Sequence, residues 1–222
     1  MGAGLPIFPL GAVLFPGVTM PLHIFEERYR SLVSTLISDV AEPERAFGIV
    51  AIREGFEVGS RGVHSLQRVG CEARLLSVDQ LDDGRFDIEV VGGRRLRVDA
   101  VDPSGEYIVG QVEWLAEAAG DDAERAANRA RAMFERYRVD LAQMRGNEVL
   151  AGDLPHDPTG LSYSLAATCL LTLQQRQNLL EVDDDASRLR MLTGAMRQEM
   201  QAMRAIPSLP ATEVARTGWS PN

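Results

Sequence analysis

The segment Leu5–Val33, LPIFPLGAVLFPGVTMPLHIFEERYRSLV, decides how the chain is read. Its first two thirds are apolar but broken by Pro6, Pro9, Gly11, Pro16, Gly17 and Pro21. Proline removes a backbone donor and blocks a helical turn, so short extended pieces running as edge strand and turn are expected. From Phe25 the spacing changes. Phe25, Tyr29, Leu32, Val33, Leu36 and Ile37 recur at three- and four-residue intervals as far as about Asp39, while Glu26, Glu27, Arg28, Arg30 and Ser34 fall elsewhere. This is the pattern of an amphipathic helix whose apolar stripe begins at Phe25.

Working outward, Pro43 and its charged neighbours mark a loop, and a series of β-type segments follows: AFGIVAIR, CEARLLSV, RFDIEVVG, RLRVDAV and YIVGQVEWL. LDDGR reads as a hairpin turn with Gly84 at positive φ. Phe86, Ile88 and Val90 alternate with Arg85, Asp87 and Glu89, which predicts a sheet with one wet face, and Gly92–Gly93 predicts a bulge or corner. After Glu117 the composition turns to Ala, Arg, Glu and Asp with a helical period.

Four helices are expected in this second part. The first follows Asp121 or Asp122, buries Ala126, Ala130, Met133, Phe134, Tyr137, Leu141 and Met144, and ends at Gly146. The second carries Leu161, Leu165, Cys169 and Leu170 on one side. Thr172 with Gln175 forms a capping box for the third, and Asp183 or Asp184 caps the fourth, striped with Leu189, Leu192, Met196, Met200 and Met203. The expected organisation is α+β: a mostly antiparallel pseudobarrel with one helix over 1–117, a helical bundle over 118–204, and a proline-containing flexible tail over 205–222.

Composition excludes whole classes of chemistry. All 23 basic residues are arginine, so the chain has no lysine for a phosphate-binding loop, a Ser-Lys base or a Schiff base, and arginine stays protonated. Cys71 and Cys169 are the only cysteines, far apart, and read as two buried thiols. The formal charge of −9 opposes nucleic acid, and the absence of a membrane-length apolar run or a signal-like N-terminus points to the cytoplasm.

The opening segment is similar, almost position for position, to the signature of the Lon protease N-terminal domain family: an LPxFPL strand, an FPG turn and a PLxIFExRY helix start. VGCEARLLSVDQLDDGRFDIEVVGGRRLRV resembles the family's VGxxAxI strand, DGR hairpin and GxxRxRI strand, and LSYSLAATCLLTLQQRQNLLEVDDDASRLRMLTGAM resembles its helical part. Glu27, Leu96 and Arg176 depart from the common proline, phenylalanine and lysine. The resemblance implies a PUA-like β-fold with a helical appendage. It implies substrate recognition without ATPase or peptidase modules, and as partners unfolded or partly folded polypeptides, with a Lon-type protease or a chaperone.

His23, His64 and His156 have neither a nucleophile nor a metal-ligand partner at suitable spacing, and Asp183–Asp185 lacks the spaced oxygens of a calcium loop. No catalytic residue, metal or cofactor is expected. Glu26 reads as a helix-start carboxylate. Arg94, Arg95 and Arg97 form the one compact basic cluster, the basis of an alternative reading as a binder of RNA or a small ligand, with Arg95 and Arg97 on one strand face. The substrate-binding residues expected instead are Phe15, Pro16, Val18 and Met20, apolar side chains on a proline-broken loop held by a sheet.

Overall fold

The computed structural model describes residues 4–53, 65–145 and 153–205. Among the described residues six strands and five α-helices follow one another as β1 (Gly4–Leu10), β2 (Thr19–Ile24), α1 (Glu27–Asp39), β3 (Ala46–Ile52), β4 (Leu66–Gln80), β5 (Phe86–Asp102), β6 (Val109–Trp114), α2 (Ala123–Arg145), α3 (Pro158–Thr168), α4 (Leu173–Glu181) and α5 (Asp185–Ala205). The α+β class is as the sequence implies. Gly146, His64 and the tail from residue 206 onward lie outside the described residues.

The chain divides into two compact units. The first comprises Met1–Ala118 and Leu170–Asp184, the second Ala119–Cys169 and Asp185–Asn222. The segment Leu170–Asp184, expected in the helical bundle, therefore groups with the sheet. Its helix α4 is tied there by hydrogen bonds: Gln177 Nε2 donates to the Val69 carbonyl at 3.0 Å, and the Leu180 and Val182 carbonyls accept from Arg95.

In the first unit the strands run in the order β2-β5-β4-β3-β1-β6, and β6 also pairs with β5, so five strands close on themselves and β2 hangs from the far half of β5. Among the described strands every pairing is antiparallel except β1 with β3. β1 is thus interior to the sheet order, although its prolines suggested an edge. It pairs with β6 over Gly4–Pro6 and with β3 over Ile7–Leu10, so Pro6 and Pro9 each have a paired strand on one flank only, the condition under which a strand tolerates proline.

The long strand β5 turns at the expected glycines. Cys71 pairs with Arg95 but Ala73 with Gly92, which leaves Gly93 and Arg94 bulged opposite Glu72. The buried Glu72 carboxylate fills the bulge, accepting from Arg74 Nε at 3.1 Å and Arg94 N at 3.2 Å. A Cβ on Gly93 would stand 2.1 Å from Glu72 Oε2, so any side chain there displaces that carboxylate. Gly84 adopts φ +80° in the β4–β5 hairpin, as its turn requires.

Two clusters form the core of this unit. Ile7, Val50, Leu96, Val98 and Ile108 meet in one. Phe8, Ile49, Phe86, Ile88 and Val90 meet Tyr29, Leu32, Val33 and Leu36 of α1 in the other. Adjacent residues of β1 and of β3 point into different clusters, so both faces are buried and the sequence AFGIVAI is apolar throughout. The first half of β5 faces α1 on one side only and alternates. Each fully buried Leu or Ile contributes about 1.5–3 kcal/mol.

The second unit packs α2, α3 and α5 through Ala126, Ala130, Phe134, Tyr137 and Leu141, Leu161 and Leu165, and Leu189, Leu192, Met196 and Met200. The methionine stripe is core as far as Met200. Met144, expected in the core, is 47% exposed, and Leu170 is 39% exposed. Arg188 is fully buried, its guanidinium 4.0 Å above the Tyr163 ring and Nη1 donating to Ser162 Oγ at 2.8 Å. Asp185 is the first residue of α5, directly after Asp184, and it joins elements: Oδ1 accepts from Gly120 N and Oδ2 from Thr159 Oγ1, both at 2.9 Å.

Candidate functional site

Of the expected binding residues, Phe15 is 1% exposed and Pro16, Val18 and Met20 are half-buried. The FPG turn is strapped to the β5 bulge: Gly17 N donates to Gly92 O and Gly92 N to Val18 O, while a Cβ on Gly92 would meet the Phe15 carbonyl at 2.0 Å. Met20, with Leu22, packs against the α1 core. The turn therefore positions strand β2, buries Phe15 and half-covers its other apolar side chains, because its prolines and Gly17, at φ +73°, let the backbone dock flat on β5.

That docking leaves open a different surface. β2, the first half of β5 and the second half of β4 form a three-stranded lobe whose inner face carries Leu22, Ile24, Phe86, Ile88 and Val90 onto α1. On the outer face, Pro21 lies opposite Glu89 and His23 opposite Asp87, and Leu76 is bulged between the pairs Leu75–Val90 and Ser77–Glu89. Pro21, His23, Leu76, Ser77, Asp79, Asp87 and Glu89 are all exposed. Leu76 is 54% and Phe25 58% exposed. Phe25, which the helical spacing placed on a buried stripe, precedes α1 and stacks on His23 with ring centroids 6.2 Å apart. Its strand-like alternation with Pro21 and His23 was the available signal.

His23 is clamped. Nδ1 is 2.6 Å from Asp87 Oδ1 and Nε2 is 3.1 Å from Arg85 Nη1, geometry that fits Nδ1–H donating to the carboxylate while Nε2 accepts from the guanidinium. Glu26 stands at the α1 N-cap without a side-chain cap bond and pairs with Arg28 at 2.7 Å. Among the described residues no group of three His, Cys, Asp or Glu side chains is placed to hold a metal. No described helix is long and apolar enough to cross a membrane.

The compact basic cluster is consumed internally. Arg95 is 2% exposed; Nη1 donates to Leu180 O at 3.0 Å and Val182 O at 2.6 Å, Nη2 to Ala116 O at 3.0 Å and Asp183 O at 3.3 Å, and Nε lies 3.2 Å from Glu117 Oε2. It thus satisfies carbonyls left open where α4 ends, the negative end of the helix. Arg94 covers the Trp114 ring at 4.0 Å, and Arg97 pairs with Glu113 and Asp99. Strand alternation gave Arg95 and Arg97 a shared face, but α4 covers that face at Arg95. Both cysteines are buried and outside any disulfide, and desolvation holds the Cys71 thiol well above its ordinary range despite the nearby Arg95 and Arg74.

Comparison with known proteins agrees with this architecture. Lon protease of Escherichia coli (strain K12) is 29% identical over 205 residues, covering 90% of this chain and 25% of that protein. Lon protease 1 of Syntrophobacter fumaroxidans is 26% identical over 203 residues. The chain spans about a quarter of the length of these curated relatives. The Lon N-terminal domain protein from Xanthomonas campestris superposes with a TM-score of 0.62 at 25% identity, over 86% of this chain and 98% of that one. The N-terminal domain of Mycobacterium avium complex Lon protease shares the fold, with a TM-score of 0.63 at 19% identity over 88% and 98%. The match to the ATP-dependent protease La (LON) substrate-binding domain runs over residues 4–198, and the chain belongs to that family.

Proposed function

We propose that the chain is a non-catalytic recognition module that holds exposed apolar segments of unfolded or partly folded polypeptides, acting with a Lon-type protease or a chaperone. The segment lies across the outer face of the β2-β5-β4 lobe. One observation carries the reading: Leu76 on the outer sheet face and Phe25, just past β2 and stacked on His23, are large apolar side chains more than half exposed, beside a sheet whose reverse side is packed on α1, in a chain of a substrate-binding family. Large apolar groups held exposed on a rigid element are the usual anchors of recognition. Pro21 adds a third apolar contact with no donor to satisfy, and Glu89 leaves an acidic group beside it, suiting segments that mix apolar and basic residues.

The test is a titration of the protein with a labelled, reduced and carboxymethylated polypeptide, against the same polypeptide in its native state. The expected result is saturable binding of the unfolded form alone, weakened about tenfold or more by Phe25→Asp combined with Leu76→Asp. Both side chains are surface groups, so the double variant keeps its unfolding midpoint to within about 0.5 kcal/mol per site. Absence of binding to every unfolded polypeptide tried overturns the reading. So does peptide cleavage or nucleotide turnover that disappears when one side chain of this chain is replaced.

A further inference from the structure

The second unit carries a basic site that the sequence did not signal. A groove of about 230 Å³ between α2 and α5 is lined by Arg125 and Arg129 from one helix and Arg190 and Arg197 from the other, with Asp122 as its one carboxylate. Arg125 and Arg129 are one turn apart and Arg190 and Arg197 two turns apart, so each pair shares a helix face. Asp122 Oδ2 reaches Arg125 Nη1 at 3.5 Å, and Arg190 donates to Ser187 Oγ and to the Asp121 carbonyl, both at 3.2 Å. Among the described residues Arg129 and Arg197 have no ion pair and no hydrogen-bond partner. Four guanidiniums thus face one acid in a chain whose formal charge is −9.

A second observation marks the groove as a space to be filled. Gly194 of α5 lines it, and a Cβ built there would meet nothing within 4 Å. Glycine in a helix interior is unfavourable, and no close packing requires it here.

We propose that this groove binds a compact anion carrying two or more linked phosphate groups. Arginine presents planar, paired donors that match phosphate oxygens, and four of them around so small a volume ask for several negative charges on neighbouring atoms. The groove has room for about seven or eight waters at the liquid volume of ~30 Å³ each, enough for two or three linked phosphates. Carboxylates strung along an acidic peptide carry one charge per residue and need a longer track. Among the described residues no aromatic side chain lines the groove, so it holds the phosphate chain and ignores any base attached to it.

Calorimetric titration of the full chain tests this with inorganic tripolyphosphate, orthophosphate, ATP, CTP and hexaglutamate. The expected result is one equivalent of tripolyphosphate bound, more tightly than orthophosphate, with the affinity falling as salt is raised. ATP and CTP bind alike through their phosphates, and their affinity relative to tripolyphosphate tells whether the free or the nucleoside-linked source suits the groove. Arg129→Ala and Arg197→Ala each weaken tripolyphosphate about tenfold, the loss of one charge-assisted contact. Gly194→Leu keeps every charge, fills the groove and abolishes binding. No binding of tripolyphosphate, binding indifferent to these three variants once circular dichroism shows them folded, or tighter binding of hexaglutamate overturns the proposal.

Discussion

Two groups of arginines occupy opposite extremes of the same chemistry. Arg95 lies in the first unit at 2% exposure, with four backbone carbonyls and a carboxylate around its guanidinium. Arg129 and Arg197 lie in the second unit, exposed, with no partner among the described residues. The sequence drew attention to the first because Arg94, Arg95 and Arg97 are neighbours in the chain, and it was silent on the second because that cluster is assembled from two helices. A cation's availability for a ligand depends on how many acceptors its own fold supplies. Proximity along the chain says little about that.

The largest effect that can break this contrast is at Arg95. Replacing it with alanine strands the carbonyls of Leu180, Val182 and Ala116 and leaves the Gln177–Val69 bond to tether α4. The expected cost is about 3–5 kcal/mol in urea unfolding. Arg95→Lys recovers only part of this, because an ammonium has three donors on one atom and cannot span acceptors on both sides of a planar fork. A loss below about 1 kcal/mol for Arg95→Ala, the range of an exposed ion pair, shows that Arg95 is no hub.

A smaller effect sharpens the picture of the same neighbourhood. Cys71 pairs with Arg95 across β4 and β5, yet burial outweighs the cation and keeps its thiol protonated far above the ordinary value of 9.0. In the unfolded chain the thiol loses its proton near that value while the folded chain retains it, so stability is intact below it and falls as pH rises beyond it. The slope attributable to this group is about 1.4 kcal/mol per pH unit. Cys71→Ala flattens the decline of stability between pH 9 and 10 by about 1 kcal/mol, since the full slope is reached only above pH 10, whatever its effect at pH 7. An unchanged slope means that Arg95 stabilises the thiolate after all.

The same distinction explains what could be read in advance. The helices, the hairpin at Gly84, the bulge at Gly92–Gly93 and the Thr172–Gln175 capping box were legible because each rests on spacing within a few residues. The place of β1 between β3 and β6 was not, since its partners are distant and its prolines argued for an edge. Nor was the grouping of α4 with the sheet: an amphipathic helix shows the same stripe whether a helix or a strand covers it. At the candidate site Phe15 and Phe25 exchanged roles. A proline-rich loop looked open, but glycine at 92 lets it lie on the strand, and the periodicity that put Phe25 inside the helix ran two residues past the helix start.

The smallest expected effect is the most discriminating for the second group. Arg129 and Arg197 lie among like charges and make no ion pair or hydrogen bond among the described residues, so in the absence of anions their loss removes repulsion as much as anything favourable. Arg129→Ala and Arg197→Ala therefore shift urea unfolding in low-phosphate buffer by no more than about 0.5 kcal/mol, with alanine's helix propensity favouring a gain. The shift grows when unfolding is repeated with tripolyphosphate, because a ligand that binds only the folded wild type adds stability that the variants lack. A loss of 2 kcal/mol or more without added anion makes these arginines structural, like Arg95, and the contrast between the two clusters dissolves.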